Sequence, residues 1–215
     1  MWAVNETGVL TAGNLRELPW LRHGFGTKNS VRWPEVFSRV ATLRQTHSST
    51  VWTVQTGEGC LGDGDALITA EPGILLTIRT ADCVPVLLVD PVKHVVAAVH
   101  AGWRGTAARI VPATVSRMEE EFGVTPADLI AAIGPSIGPC CFEVGSEVAE
   151  HFPLTSRDRK VDLWCENRLQ LQDAGVRKIT LTERCTVCEP EWFYSFRRDK
   201  TAGRMVTGIG ISSLK

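Results

Sequence analysis

The chain has 215 residues, 44% of them hydrophobic, and 23 Lys and Arg against 24 Asp and Glu leave a net charge of -1. That content fills a sizeable core in a single domain spanning 1–215, argues against disorder, and includes no basic block of the kind that binds nucleic acid. The opening MWAVNETGVLTAGN lacks the features of a signal peptide, no apolar run approaches the ~18 residues of a membrane span, and seven cysteines are too sparse for a disulfide scaffold. The expectation is a cytoplasmic protein whose cysteines are thiols or metal ligands, with no membrane partner.

Taken in chain order, apolar and β-rich runs predict strands at 51–56, 65–70, 74–80, 84–90, 94–100, 129–134 and 178–183. Helices are expected at Thr106–Phe122, stopped by Gly123, at Gly145–Phe152, and at Asp162–Ala174, stopped by Gly175. The pattern is α/β. Asp90, Pro91, Val92 and Lys93 separate two strand runs too closely for a βαβ crossover and suit an antiparallel hairpin, so the sheet is read as mixed.

Chemistry-bearing residues gather at strand ends. His47 precedes VWTV, Cys83 sits where the polar RTAD meets VPVLLVD, and His100 closes HVVAAVH. Strand ends of an α/β core are where distant segments converge on one pocket, and two imidazoles with one thiolate make a three-ligand set for catalytic zinc with an open fourth position. Taken singly, a strand-end histidine is more often a hydrogen-bonded packing residue and a lone cysteine a buried hydrophobe. The 47–83 and 83–100 intervals match no local zinc pattern.

Six stretches link these segments. RQTHSSTV, GDGDALIT, TADCVPVLLVD, VHAGWRGT, IGPSIGPCCFEVG and FYSFRRDKTAGRM, in that order over residues 44–205, together resemble the purine nucleoside phosphorylase and adenosine deaminase family, long labelled multicopper polyphenol oxidase or laccase-like. The resemblance implies a layered α/β/β/α domain with mixed sheets and a metal, zinc rather than copper, on His47, Cys83 and His100. The activity it implies is phosphorolysis of adenosine, inosine, guanosine and S-methyl-5'-thioadenosine, together with deamination of adenosine to inosine; the partners are thus a purine nucleoside and phosphate.

Around this set, Gly102 and Gly105 permit a tight turn after His100, and Thr106 can cap a helix whose amides favour an anion. Arg104 and Arg44 are the candidate phosphate clamps. Asp65 and Asp82 are the nearest acids, suited to orienting a ligand histidine, holding a hydroxyl or moving a proton; Asp63 is read as a turn residue. Ser48 and Ser49 either line the pocket or begin a strand. The 133–145 loop is expected to form a pocket wall with Cys140 and Cys141 as packed thiols. Cys185 and Cys188 form a CxxC pair read as structural, with no second CxxC or nearby His to complete it, and Arg197 and Arg198 serve either the pocket or ion pairs.

Two rival classes remain. Copper-dependent phenol oxidation fits poorly, because coupling it to oxygen reduction takes several coppers and this chain has five histidines. A cysteine hydrolase with Cys83 as nucleophile and His47 or His100 as base uses the same residue types; some members of the resembled family are linked to trimming of peptidoglycan precursors.

Overall fold

The computed structural model describes residues 1–31, 33, 37–200 and 203–213. Its strands are β1 (Ala3–Val4), β2 (Leu10–Thr11), β3 (Leu21–Phe25), β4 (Arg39–Arg44), β5 (Val51–Thr53), β6 (Gly59–Asp63), β7 (Ala66–Thr69), β8 (Ile74–Thr80), β9 (Val84–Asp90), β10 (Val95–Ala101), β11 (Ile130–Ile133), β12 (Ser156–Arg157), β13 (Lys160–Val161), β14 (Lys178–Leu181) and β15 (Met205–Ile211). The helices are α1 (Gly13–Arg16), α2 (Trp103–Ala107), α3 (Ile110–Phe122), α4 (Ser146–Ala149), α5 (Leu163–Asp173) and α6 (Phe196–Asp199).

Two mixed sheets form, one in the order β1-β2-β3-β15-β8-β4-β6 and one in the order β14-β11-β9-β10-β7-β5. The expected hairpin is β9–β10, antiparallel from Val95 opposite Asp90 to Ala101 opposite Val84. Every residue of both strands is buried, because the six-stranded sheet is covered on both faces. Period-two alternation divides these side chains between two cores. Val84, Val86, Leu88, Val95, Ala97 and Val99 meet Ile110, Val115 and Met118 of α3 and Leu163 and Leu171 of α5. Leu87, Val89, Val96 and Ala98 point the other way, onto Ile74, Leu76 and Ile78 of β8 and Ile209 of β15.

The far face of the seven-stranded sheet is kept low by glycine. A Cβ on Gly208 would lie 3.2 Å from the Trp33 ring, and one on Gly210 would lie 2.8 Å from the Phe37 ring. Among the described residues no helix is long and apolar enough to cross a membrane.

The helix expected over 106–122 is two helices. Arg109 adopts the left-handed conformation, φ 59°, and Pro112 lacks the amide that a continuous helix would bond to the carbonyl of Ala108. The chain therefore restarts at Ile110, which leaves Pro112 in a first turn, where its missing amide costs nothing. The helix expected over 145–152 is confined to α4. α5 begins as expected, with the Asp162 carboxylate accepting from the Cys165 amide at 2.9 Å. Strands β3, β4, β6 and β15, and the two-residue strands β1, β2, β12 and β13, have no counterpart among the expected runs.

His23, on β3 and 9% exposed, accepts the amide of Ala12, the residue before α1, through Nε2 at 3.0 Å. Burial pushes its pKa down to about 4 from 6.5. Below 6.5 the unfolded chain takes up a proton that the native chain refuses until about pH 4, so stability falls as pH drops through that window. The loss between pH 7 and 4.5 should be about 2–3 kcal/mol. Urea unfolding at the two pH values should show that increment in the parent and lack it in His23→Gln, whose amide oxygen still accepts from Ala12; equal acid sensitivity in both proteins would rule the assignment out.

Candidate functional site

Three connections cross between the two sheets at the same end of the sandwich. β4 passes to β5 through residues 45–50, β6 to β7 through 64–65, and β8 to β9 through 81–83. They carry His47, Asp65 and Cys83. His100 comes up on β10 with the parity of Val96 and Ala98, facing the seven-stranded sheet. Sequence-distant residues are brought together because the chain changes sheet at one edge each time.

The ligating atoms of His47, Cys83 and His100 all lie within 4.8 Å of one another. Cys83 Sγ is 3.8 Å from His47 Nε2, and the two imidazoles stand edge to face with centroids 4.9 Å apart. Gly102 sits against them, since a Cβ there would fall 2.8 Å from His47 Cδ2 and 3.0 Å from Cys83 Sγ. A thiolate and two imidazole nitrogens this close together fit a borderline-soft cation such as zinc.

Asp65 holds the set in place. Its buried carboxylate accepts from His100 Nδ1 at 2.8 Å, leaving Nε2 to face the set. It also accepts from the amides of His47 at 3.0 Å and Ser48 at 2.6 Å, and from the Ser48 hydroxyl at 2.7 Å. Burial opposes its charge, but the hydrogen bonds from His100 and Ser48 hold it well below the usual carboxylate range. Burial likewise resists ionisation of Cys83, yet His100 and His47 beside it bring its thiol down to about 6. His100 is disfavoured as a cation by burial and raised overall to about 9 by Asp65 and Cys83. The thiolate is the form that donates to a metal, and a metal ion competes with the His100 proton for Nε2.

The set opens onto a cleft of about 770 Å³ whose lining includes Leu43, Trp103, Ile137, Phe142 and Phe196, and the cations Arg79, Arg197, Lys200 and Arg204. Gln45 brackets the backbone of Arg79, donating to its carbonyl at 2.8 Å and accepting its amide at 2.7 Å. Arg197 donates to the carbonyl of Glu143 at 2.7 Å.

The two arginines expected from the sequence to clamp an anion lie off this lining. Arg44 is turned outward on β4 and pairs with Asp63 on the neighbouring β6; Arg104 lies over the Trp103 ring at 4.2 Å. Asp82 lines the cleft, but its carboxylate braces loops, accepting from the Thr186 hydroxyl at 2.7 Å and the Arg197 amide at 2.6 Å. Ser48 serves Asp65, and Ser49 is exposed. Arg79, Lys200 and Arg204 were not singled out from the sequence, although all three stand beside or within stretches quoted there, RTAD and FYSFRRDKTAGRM, because nothing in those stretches marks one cation over its neighbours as facing a cleft. The Cys140–Cys141 pair and the CxxC pair, read separately as packed thiols and an incomplete structural motif, meet in space.

Known proteins share this arrangement of the chain. A purine nucleoside phosphorylase of Bacteroides thetaiotaomicron is 47% identical over 68% of this chain and 60% of its own length. An adenosine deaminase from an unknown prokaryotic organism is 40% identical over 77% of this chain and 72% of its own. The crystal structure of YlmD from Geobacillus stearothermophilus superposes with a TM-score of 0.91 at 31% identity, covering 99% of both chains. Residues 28–212 match the family described as multi-copper polyphenol oxidoreductase laccase, and the chain belongs to that family.

Proposed function

We propose that this chain is a zinc-dependent purine nucleoside enzyme. In this reading it cleaves adenosine, inosine, guanosine and S-methyl-5'-thioadenosine with phosphate to the base and the (methylthio)ribose 1-phosphate, and deaminates adenosine to inosine. The observation that carries the reading is the placement of the His47–Cys83–His100 set at the floor of a cleft that is both aromatic and cationic. Relatives named purine nucleoside phosphorylase and adenosine deaminase support it.

Each part of the cleft has a task in that chemistry. Phe142, Phe196 and Trp103 offer flat apolar faces to a purine, and the guanidinium of Arg79 and its cationic neighbours offer charge-assisted hydrogen bonds to phosphate. His47, Cys83 and His100 would hold zinc, which supplies Lewis-acid polarisation of a substrate atom when bound. Asp65 fixes the His100 tautomer and its direction, the task of a carboxylate behind a ligand histidine.

The remaining histidines are engaged elsewhere. His23 accepts from Ala12, His94 stacks on Trp20 with centroids 4.1 Å apart, and His151 lies 6.1 Å from the Trp103 ring centroid. This leaves two imidazoles at the set, which suits a single ion better than a multi-copper cluster. A second reading, hydrolysis with Cys83 as nucleophile and peptidoglycan precursors as substrates, draws on the lowered Cys83 thiol.

Incubating the metal-quantified protein with adenosine, with and without phosphate, decides among these readings. Adenine plus ribose 1-phosphate with phosphate, inosine without it, and reversible loss of both on chelation are the expected results. Rapid quenching should show no mass adduct on Cys83. Turnover unchanged after verified metal removal, or a substrate-derived adduct on Cys83, would overturn the ligand role of Cys83, and no purine product at all would transfer the assignment to the hydrolase.

Asp65→Asn should weaken zinc binding by about ten- to hundredfold, because an amide cannot accept from His100 and the His47 and Ser48 amides together as a carboxylate does. Competition with a chelator of known affinity measures it, and unchanged affinity would remove Asp65 from this role.

Arg79→Ala should raise the apparent phosphate KM by about ten- to hundredfold, the worth of one lost charge-assisted contact, while Arg44→Ala and Arg104→Ala change it little. A phosphate titration in which Arg104→Ala or Arg44→Ala produces the larger rise would return the clamp to those arginines.

A further inference from the structure

Cys140, Cys141, Cys185 and Cys188 lie outside the set just described, and their four Sγ atoms all fall within 4.8 Å of one another. The backbone brings them there. β11 and β14 are parallel neighbours, Ile133 opposite Leu181, and their pairing continues past the strand ends through a parallel bridge between Ser136 and Cys185. The Ser136 amide donates to the Arg184 carbonyl at 3.3 Å and the Thr186 amide to the Ser136 carbonyl at 3.0 Å. Each strand then turns through a loop carrying two cysteines, so the pairs face each other.

The spacing is that of metal ligands. Cys188 Sγ is 3.4 Å from Cys141 Sγ and 3.7 Å from Cys140 Sγ. Four thiolates about 2.3 Å from a tetrahedral zinc stand about 3.8 Å apart, whereas a disulfide needs about 2.05 Å, and all seven cysteines are free. Backbone amides also converge on sulfur. The Gly138 amide donates to Cys185 Sγ at 3.3 Å, and those of Val187 and Cys188 point to the same atom. Such N–H donors stabilise a thiolate, and in a CxxC turn they come from the residues that follow the first cysteine. Cys185 is buried while Cys140 and Cys188 are exposed, so the site is anchored on one side and open to loading on the other.

We propose that Cys140, Cys141, Cys185 and Cys188 bind a structural zinc ion as a closed tetrathiolate site, separate from the His47–Cys83–His100 set. It clamps the 138–142 loop to the 185–188 loop. Ile137 and Phe142, on either side of the first loop, line the cleft. Arg198 ties the second loop to α6 by donating to the carbonyls of Thr186 and Val187 at 2.8 and 3.1 Å. The ion thus fixes one wall of the cleft without touching substrate, and the assignment holds whatever reaction the cleft performs.

The test uses the full chain purified under reducing conditions, with a His47→Ala, Cys83→Ala, His100→Ala triple variant from which the other set has been removed. Elemental analysis should find about two zinc ions per parent chain and about one in the triple variant. Cobalt added to the metal-stripped triple variant should give strong thiolate-to-metal charge-transfer absorbance of the intensity of several thiolates on one ion, which the four clustered cysteines supply and the isolated Cys60 and Cys165 do not. Cys188→Ser added to the triple variant should abolish it. In the parent protein, mass-mapped alkylation should spare these four thiols until a chelator is added, a measurement that stands even if the triple variant fails to fold. No metal and no charge-transfer band in a folded triple variant, equal alkylation with and without chelator, visible iron absorbance, or disulfides among the four in the reduced preparation would each overturn the site.

Discussion

The Asp65 carboxylate is the interaction on which the rest of the site depends. A fully buried carboxylate is costly unless every lone pair is met, and here the partners come from two separate segments, the 46–48 loop and His100. In a loop, a residue in the left-handed region lets successive amides converge on one anion, and His47 sits at φ 61°. A non-glycine residue in that conformation costs on the order of 1 kcal/mol. The cost falls on the residue whose imidazole faces Cys83, so the strain that satisfies Asp65 also sets the direction of His47. One buried charge therefore positions two of the three candidate ligands, one through its backbone and one through its ring.

The two-sheet architecture explains why a site forms at this edge. Each crossing from the seven-stranded to the six-stranded sheet has to leave one layer and enter the next within a few residues, and such a segment cannot bury its backbone in a ladder. Its amides and carbonyls turn to groups outside the ladders, as the amides of Thr46, His47 and Ser48 donate to the Asp65 carboxylate, and as the Asp82 carbonyl accepts from the Ile137 amide. Asp82 does at the cleft wall what Asp65 does at its floor, receiving groups from loops distant in sequence.

What could be read in advance follows the same physics. Strands β8, β9 and β10 were legible because they are continuous apolar runs, and they are continuous because both faces of their sheet, or one face and an aromatic cover, are shielded from water. β15 was not, since Gly208 and Gly210 break its apolar pattern to admit Trp33 and Phe37, and β4 alternates between exposed and buried positions too briefly to register. The His47, Cys83 and His100 set was visible as residue types at strand ends. Of the cations of the cleft only Arg197 was read as a pocket candidate; Arg79 on β8 and Lys200 after α6 meet it there through the tertiary packing, which no local spacing encodes. The adjacent cysteines at 140 and 141 carry no ligand pattern of their own, and only the parallel pairing of β11 with β14 gives them partners.

The strand order has a consequence for how the chain is made. In the seven-stranded sheet β15 lies between β3 and β8, pairing with both along most of its length, yet it is synthesised after every other described strand. Until it emerges, β3 and β8 each present an unpaired edge, and the apolar face of β8 lacks its neighbour Ile209. Exposed edges of this kind invite pairing with other chains. The nascent protein thus has to keep two open edges from pairing with other chains until the strand that joins them arrives.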